Sequence, residues 1–246
     1  MTGSPLYLAL TVVAIAASAM VWDRFHRAQG VRDGRLVLVF LAAIGGAFVG
    51  AKLAFLVAEG WHRRDDWMAL VSGRSVTGAL VGGTLAVEWT KARLGVRTAT
   101  GDAFAITVPL AVAIGRIGCV HAGCCPGVAC EAAWWTATDA DGAARVPSAQ
   151  LELGFNLAFL CWSLAAARFG WMRTQRFNLY LISYGAFRFA HEYWRDDHRW
   201  TDSFGGYHAA ALGVLVVGVW MFVRRARLNR GQGVGDADVR AQPSGG

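Results

Sequence analysis

The chain has 246 residues, of which 55% are hydrophobic and only 17% are charged. This charged share is well below the ~25% of soluble domains, which excludes an ordinary soluble globular protein. The net charge of +7 does not indicate a nucleic-acid partner, because the arginines are dispersed among short connections and no nucleic-acid-binding motif is present.

Apolar runs predict an all-α membrane protein with seven spans. The predicted spans are residues 5–22, 36–58, 75–90, 102–119, 149–167, 177–192 and 208–223. Most approach the ~20 residues that cross a bilayer core, and the short third and sixth runs are expected to be tilted, broken or extended by interfacial turns. The first run lacks a basic start and a small-residue cleavage site, so we expect a retained span rather than a signal peptide.

The charges of the connections predict the orientation of the spans. Basic residues concentrate after the first, third, fifth and seventh spans, and the other connections are richer in acids. The positive-inside rule therefore predicts an N-terminus outside and a C-terminus in the cytoplasm. Residues 1–230 are expected to form one integral membrane domain, and the Gly-rich, polar residues 231–246 a disordered cytoplasmic tail.

Small residues in the second and third spans predict close helix packing. Gly46 and Gly50 form a GxxxG face in the second span. Lys52 lies in the middle of that span, where an ionisable group is costly unless it faces a polar cavity or an acidic partner. The third span is also dense in glycine, which favours tight packing or a locally broken helix.

The strongest functional candidate is the segment 115–127, which begins in an apolar run and ends in a polar loop. Arg116 lies there between Gly115 and Gly118, where the hydrophobic segment meets water. Because an arginine is expensive at that depth, it is a functional hypothesis by default. Its planar fork can hold a lipid phosphate with two parallel hydrogen bonds. The alternative is a snorkelling arginine anchored at the interface.

A second polar concentration follows the sixth span. On a helix, Arg188, Glu192 and Arg195 would share one face, since they are spaced by four and three residues. Such a face can be a structural salt-bridge ladder. It can also bind an anionic headgroup while Glu192 orients the two guanidinium groups.

Four of the five cysteines cluster in sequence, at Cys119, Cys124, Cys125 and Cys130. Their spacing is not the CxxC pairing of ordinary zinc sites. Disulfide bonding or thiol packing, a redox or nucleophilic role, and metal ligation together with His121 remain open. The sequence predicts no metal and no other cofactor.

The two arginine segments resemble the signatures of the prolipoprotein diacylglyceryl transferase family, and the similarity covers about residues 36–224. The first signature is matched by Gly115, Arg116, Ile117, Gly118 and Gly127. The second is matched by Tyr184, Gly185, Arg188, Glu192, Tyr193 and Arg195. Weaker matches are Pro147-Ser148 with Glu152, and Gly50-Ala51-Lys52.

The resemblance implies a seven-span protein of the bacterial plasma (inner) membrane. It implies transfer of a diacylglyceryl group from phosphatidylglycerol, or a related anionic phospholipid, to the thiol of a prolipoprotein lipobox cysteine, with glycerol phosphate as by-product. Arg116 and Arg188 would then hold the lipid phosphate and stabilise the charge of the leaving group. The other positions expected at the site are Glu192 in catalysis and, in substrate binding, Gly115, Gly118, Gly127, Arg195, Lys52 and Thr77.

The chain departs from the family pattern where the chemistry needs a base. Thr77 replaces the histidine at the start of the third span, and a threonine hydroxyl cannot act as a general base near neutral pH. Cys119, Ala122 and Cys124 replace polar residues of the first signature. His121 and His191 are the two remaining histidine candidates for the base.

Three functions therefore stay open from the sequence. The expected one is the lipid transferase, with an anionic phospholipid, a lipobox peptide and the bilayer as partners. The alternatives are a non-catalytic lipid-binding or scaffolding homologue, suggested by Thr77, and a thiol-redox or metal-handling membrane protein, suggested by the cysteines.

Overall fold

The structure, a computed structural model, describes residues 5–125, 127–139 and 141–241. In these ranges the α-helices are α1 Pro5–Ala28, α2 Arg35–Phe55, α3 Trp67–Ser72, α4 Val76–Leu94, α5 Gly101–Ala122, α6 Ser148–Phe169, α7 Arg176–His191 and α8 Gly206–Ala241. A π-helical turn, Leu56–Gly60, extends α2, and a 3₁₀ turn, Glu192–Trp194, extends α7. Two short antiparallel strands, β1 Ala137–Thr138 and β2 Ala144–Arg145, place Ala137 opposite Arg145.

The predicted spans all coincide with helices, and the short helix α3 is an addition between the second and third of them. Within the described residues, four segments are long and apolar enough to cross a membrane. They are Arg35–Gly60, Gly101–Ala122, Ser148–Phe169 and Gly206–Arg230. The protein is therefore a helical membrane protein.

The disordered tail predicted at the end of the chain stays a prediction. Helix α8 continues through residues 231–241, part of the segment for which disorder is predicted. Residues 242–246 lie outside the described part of the chain.

Helices α2 and α4 pack closely through glycines, which confirms the packing predicted from the GxxxG face. A Cβ atom added to Gly50 would lie 2.3 Å from the carbonyl oxygen of Gly78 and 2.8 Å from Cα of Gly82. A Cβ atom on Gly46 would lie 2.6 Å from the carbonyl oxygen of Gly82. The two backbones are thus in direct contact, as small residues allow in lipid.

Substitution of Gly50 by alanine is expected to lower the stability of the fold by about 1–3 kcal/mol, because the new methyl group overlaps backbone that cannot rotate away. The thermal unfolding midpoint of the purified protein in detergent measures this. Gly45→Ala is the matched control, since a Cβ atom at Gly45 meets nothing within 4 Å. Equal midpoints for the two variants would contradict the close α2–α4 contact.

Helices α5, α6 and α7 pack against one another. Tyr180 and Tyr184 of α7 are fully buried, and the Tyr180 ring packs 5.0 Å from that of Phe159 on α6. The carboxylate of Asp102 in the first turn of α5 lies 3.3 Å from the guanidinium of Arg176. This packing brings together the C-terminal end of α5, the start of α6 and the C-terminal end of α7.

Candidate active site

Glu152, in the first turns of α6, is the centre of a buried charge network. Its side chain is fully buried, and Nη2 of Arg116 lies 2.8 Å from Oε1 and 2.7 Å from Oε2. The Tyr184 hydroxyl donates to Oε1 at 2.7 Å, and Nε of Arg188 lies 4.0 Å from Oε2. A buried carboxylate is tolerated only with such partners, so one acid fixes groups from both neighbouring helices.

From the sequence alone, Glu152 is only a minor candidate. It appears there only as a weak family match, yet the structure places it between the two arginines that the sequence favours. The available signal was a carboxylate inside an apolar run, which is as costly as an arginine at the same depth.

Arg188 is held from several sides and lies deep in the protein. Its Nη1 is 2.5 Å from Oε2 of Glu192 and 3.3 Å from Nδ1 of His191. Because a guanidinium cannot accept a hydrogen bond, Nδ1 of His191 accepts and the Nε2 proton points to Ser148 Oγ at 3.2 Å. Fully buried His191 therefore positions Arg188 and Ser148, with both ring nitrogens occupied.

Arg188, Glu192 and Arg195 converge, but not on the single helical face that the sequence predicts. Helix α7 ends at His191, and Arg195 follows the 3₁₀ turn with extended backbone. Nε of Arg195 lies 2.6 Å from Oδ2 of Asp197, and Nη1 donates to Ser148 Oγ at 3.5 Å. Burial alone would raise the pKa of the Asp197 carboxyl, but the charge and hydrogen bond of Arg195 outweigh it and lower the pKa.

A cavity of about 1090 Å³ opens beside this network. Its walls are largely apolar side chains of α1, α2, α4, α5 and α8. The polar groups at the end near the network are Glu59, Arg63, Arg74, Arg116, Arg195, Asp196, Asp197 and Tyr207. Among the described residues, Arg188 and Glu192 lie behind this surface rather than on it, so Arg116 and Arg195 are the network arginines that a bound molecule would touch.

Glu59 is a cavity residue that the sequence does not single out as a site residue. The π-helical turn after α2 carries it into the cavity, where it is 8% exposed. Its Oε2 accepts from the Tyr207 hydroxyl at 3.0 Å, and its Oε1 lies 2.9 Å from Nε of Arg63. Single-turn π-helices often mark functional sites. The apolar pattern of the sequence does not predict this turn.

Three other predicted site residues are in contact with neighbouring protein groups. Nζ of half-buried Lys52 lies 3.5 Å from the Gly73 carbonyl and 5.4 Å from the Phe55 ring centre. Thr77 is buried, with its hydroxyl 2.7 Å from that of Ser75. A Cβ atom on Gly127 would lie 2.3 Å from the Val146 carbonyl oxygen, so this glycine serves backbone packing.

The remaining candidates near the first signature lie in three different environments along α5. Gly115 lines the cavity, where a Cβ atom would meet open space. Gly118 is buried within α5. His121 is exposed in the last turn of that helix, away from the buried network.

Three of the four clustered cysteines come together in space. The Sγ atoms of Cys119, Cys124 and Cys125 lie within 4.8 Å of one another, and all three residues line the cavity. All five cysteines of the chain are free thiols, and Cys130 lies apart, with its backbone N–H bonded to the Ala144 carbonyl. Hydrogen bonding with the Cys119 and Cys124 thiols, aided by nearby arginines, lowers the pKa of the Cys125 thiol.

Comparison with known proteins identifies the family of the chain. The family model for prolipoprotein diacylglyceryl transferase matches residues 5–224. A phosphatidylglycerol–prolipoprotein diacylglyceryl transferase of Dehalococcoides mccartyi is 28% identical over 233 residues, which cover 90% of this chain and 88% of the relative. The protein of that name from Clostridium tetani is 26% identical over 236 residues, covering 88% and 91%. The chain therefore belongs to the prolipoprotein diacylglyceryl transferase family.

Proposed function

We propose that this protein transfers a diacylglyceryl group from phosphatidylglycerol to the cysteine thiol of a prolipoprotein. The observation that carries the proposal is the pair Arg116 and Arg195 at one end of a long cavity with apolar walls. Two acyl chains fit such walls, and an anionic headgroup fits the arginines. The names of the relatives supply the two substrates.

In the proposed reaction, the acceptor thiol loses its proton to solvent, and its sulfur attacks the diacylglyceryl carbon that is ester-linked to the phosphate. The C–S bond forms as the C–O bond breaks, and the electron pair of the C–O bond leaves with the phosphate oxygen of glycerol phosphate. Arg116 and Arg195 stabilise the charge that grows on this oxygen, as fixed donors do in a water-poor site.

The proposal changes the role that the sequence assigns to Arg188. Arg188 is enclosed by Glu192, His191 and Glu152, so it acts by fixing these groups. Arg195 takes the place of the second phosphate ligand, because it lines the cavity and Arg188 does not. Ser148 connects the two arginines, because its hydroxyl contacts both Arg195 and His191, and His191 contacts Arg188.

Replacement of Arg195 by glutamine is expected to reduce lipid transfer roughly 100-fold, the usual loss when one charge-stabilising donor is removed. The measurement is turnover of labelled phosphatidylglycerol in vesicles by the purified protein, with a lipobox peptide as acceptor. Arg168→Gln, which removes an exposed arginine from the last turn of α6, is the control. Equal rates for both variants, or absence of thioether product with the wild type, would refute the proposal.

We also propose that the predicted seven spans place this site near the outer face of a bacterial plasma membrane. Single-cysteine variants test the orientation in a chain whose own cysteines are replaced by serine. Asp141→Cys, in the exposed loop before α6, is expected to react with a membrane-impermeant maleimide in intact cells. Arg173→Cys, in the turn before α7, is expected to react only after the membrane is permeabilised. The reverse labelling pattern would show that the spans have the opposite orientation.

A further inference from the structure

The turn after α5 folds three thiols over the cavity. Gly123 ends the helix with a left-handed backbone at φ 60°, and Cys125 adopts φ 62°, which is unusual for a residue with a side chain. These two positions return the chain so that Cys124 and Cys125 face Cys119 of the last helical turn. Such conformations cost free energy and are found mainly where the surroundings require them, often at functional sites.

The spacing of the sulfurs suits a thiophilic metal ion. A tetrahedral zinc ion with Zn–S bonds of about 2.3 Å holds its sulfurs about 3.8 Å apart. Here the Sγ atoms of Cys124 and Cys125 are 4.0 Å apart, and all three sulfurs lie within 4.8 Å of one another. Small side-chain rotations would therefore complete the three bonds without moving the helix.

The neighbouring charges also suit a metal bound by thiolates. Three thiolates and one divalent ion carry a net negative charge. Nη1 of Arg116 lies 3.8 Å from Sγ of Cys119 and 3.7 Å from Sγ of Cys125, close enough to offset that charge. Thiolate is the soft ligand that selects zinc and similar ions over magnesium or calcium.

Three protein ligands leave one position of a tetrahedral ion open, which distinguishes a reactive zinc site from a closed structural one. At this cluster the open side faces the cavity that Arg116 and Arg195 line. A group bound there would lie next to the arginines proposed to hold the phosphate. Thr77 offers only a hydroxyl, so a metal would supply the thiol activation that this side chain cannot.

We propose that Cys119, Cys124 and Cys125 bind a zinc ion whose open position takes the thiol of the acceptor cysteine. This inference rests on the proposed function for the identity of that thiol. On coordination the acceptor loses its proton to water at the cavity mouth, because a metal-bound thiol is deprotonated. The thiolate then forms the C–S bond while the C–O electron pair leaves with glycerol phosphate, and the neutral thioether dissociates from the metal.

The first test measures metal binding without any assay of activity. The full chain, purified in detergent under a phosphine reductant, is equilibrated with Zn²⁺, freed of excess ion and analysed for metal. About one zinc ion per chain is expected, with affinity reduced more than about 100-fold in Cys119→Ser, Cys124→Ser and Cys125→Ser. Cys161→Ser, on the exposed side of α6, and Cys130→Ser are the controls and are expected to keep the ion.

Cobalt substitution gives a second readout, because the absorption spectrum of the wild-type protein itself reports ligation by sulfur. Wild-type protein loaded with Co²⁺ is expected to show sulfur-to-cobalt charge-transfer absorption, which is lost when Cys125 is replaced. Failure of the wild type to bind either ion would overturn the inference. Equal binding by Cys161→Ser and Cys125→Ser, or a disulfide within the cluster found by thiol counting, would overturn it as well.

An assay of lipid transfer with and without zinc separates this inference from the proposed function. Removal of zinc by a chelator is expected to reduce lipid transfer more than about 100-fold, and added zinc is expected to restore it. Full transfer by zinc-free protein would overturn the proposed role of zinc in binding the acceptor thiol and leave the proposed function intact. Zinc bound at the three cysteines with no transfer to any lipobox peptide would support the site and refute the acceptor role together with the proposed function.

Discussion

Replacement of Arg116 by alanine is expected to reduce diacylglyceryl transfer roughly 100- to 1000-fold, the largest loss among the cavity residues. Arg116 combines two roles, because its Nη2 is fixed by Glu152 while its Nη1 side faces the cavity and the thiols. The variant removes the proposed phosphate ligand whose protein contacts are best defined. The rate of thioether formation in phosphatidylglycerol vesicles measures the effect.

Arg116→Lys is the informative companion variant. Lysine keeps the charge but cannot donate to Glu152 and to a phosphate through one planar group. We expect its transfer rate to lie close to that of the alanine variant, while its unfolding midpoint stays nearer to that of the wild type. A lysine variant with the wild-type rate would show that charge alone is sufficient, and would contradict a role for the guanidinium fork.

Replacement of Glu152 by glutamine is expected to lower the stability of the fold by about 3–5 kcal/mol, as when one partner of a buried ion pair is removed. The carboxylate is fully buried and faces Arg116 and Arg188, which the change leaves with an excess of buried positive charge. The unfolding midpoint in detergent measures this loss. Lipid transfer is expected to fall with it, because the orientation of Arg116 depends on this carboxylate.

Glu88→Gln provides the matched control for Glu152. Glu88 also lies in an apolar helix and pairs with a lysine, but its side chain is 44% exposed and Nζ of Lys91 is 3.5 Å away. A pair with a long contact and one largely exposed partner contributes only about 0–1 kcal/mol. Similar midpoints for Glu88→Gln and Glu152→Gln would mean that the buried network is not what stabilises this end of the bundle.

The positions of the helices follow from the sequence, because apolar length is a property of the chain itself. A span needs a sufficient run of apolar residues, and each predicted run coincides with a helix. The close packing of α2 was also predictable, because Gly46 and Gly50 have no side chain and allow the backbone of a neighbouring helix to approach. Membership of the family likewise follows from two arginine motifs in order along the chain.

Which side chains meet across helices was decided by the tertiary structure. Arg116 and Glu152 are 36 residues apart, and their 2.7 Å contact depends on how α5 packs against α6, which no local periodicity specifies. The sequence favoured Arg188 over Arg195, but the end of α7 at His191 turns Arg195 into the cavity and leaves Arg188 behind it.

The cysteines show the same division between sequence and structure. Their spacing does not match the common zinc motifs, in which a fixed number of loop residues separates two cysteine ligands. The left-handed turns at Gly123 and Cys125 bring Cys119, Cys124 and Cys125 together instead and leave Cys130 apart. The sequence thus determined the helices and the kind of chemistry, because apolar length and residue type act locally. Only the packed helices and their terminal turns decided which groups share the cavity, because those contacts join residues from separate elements.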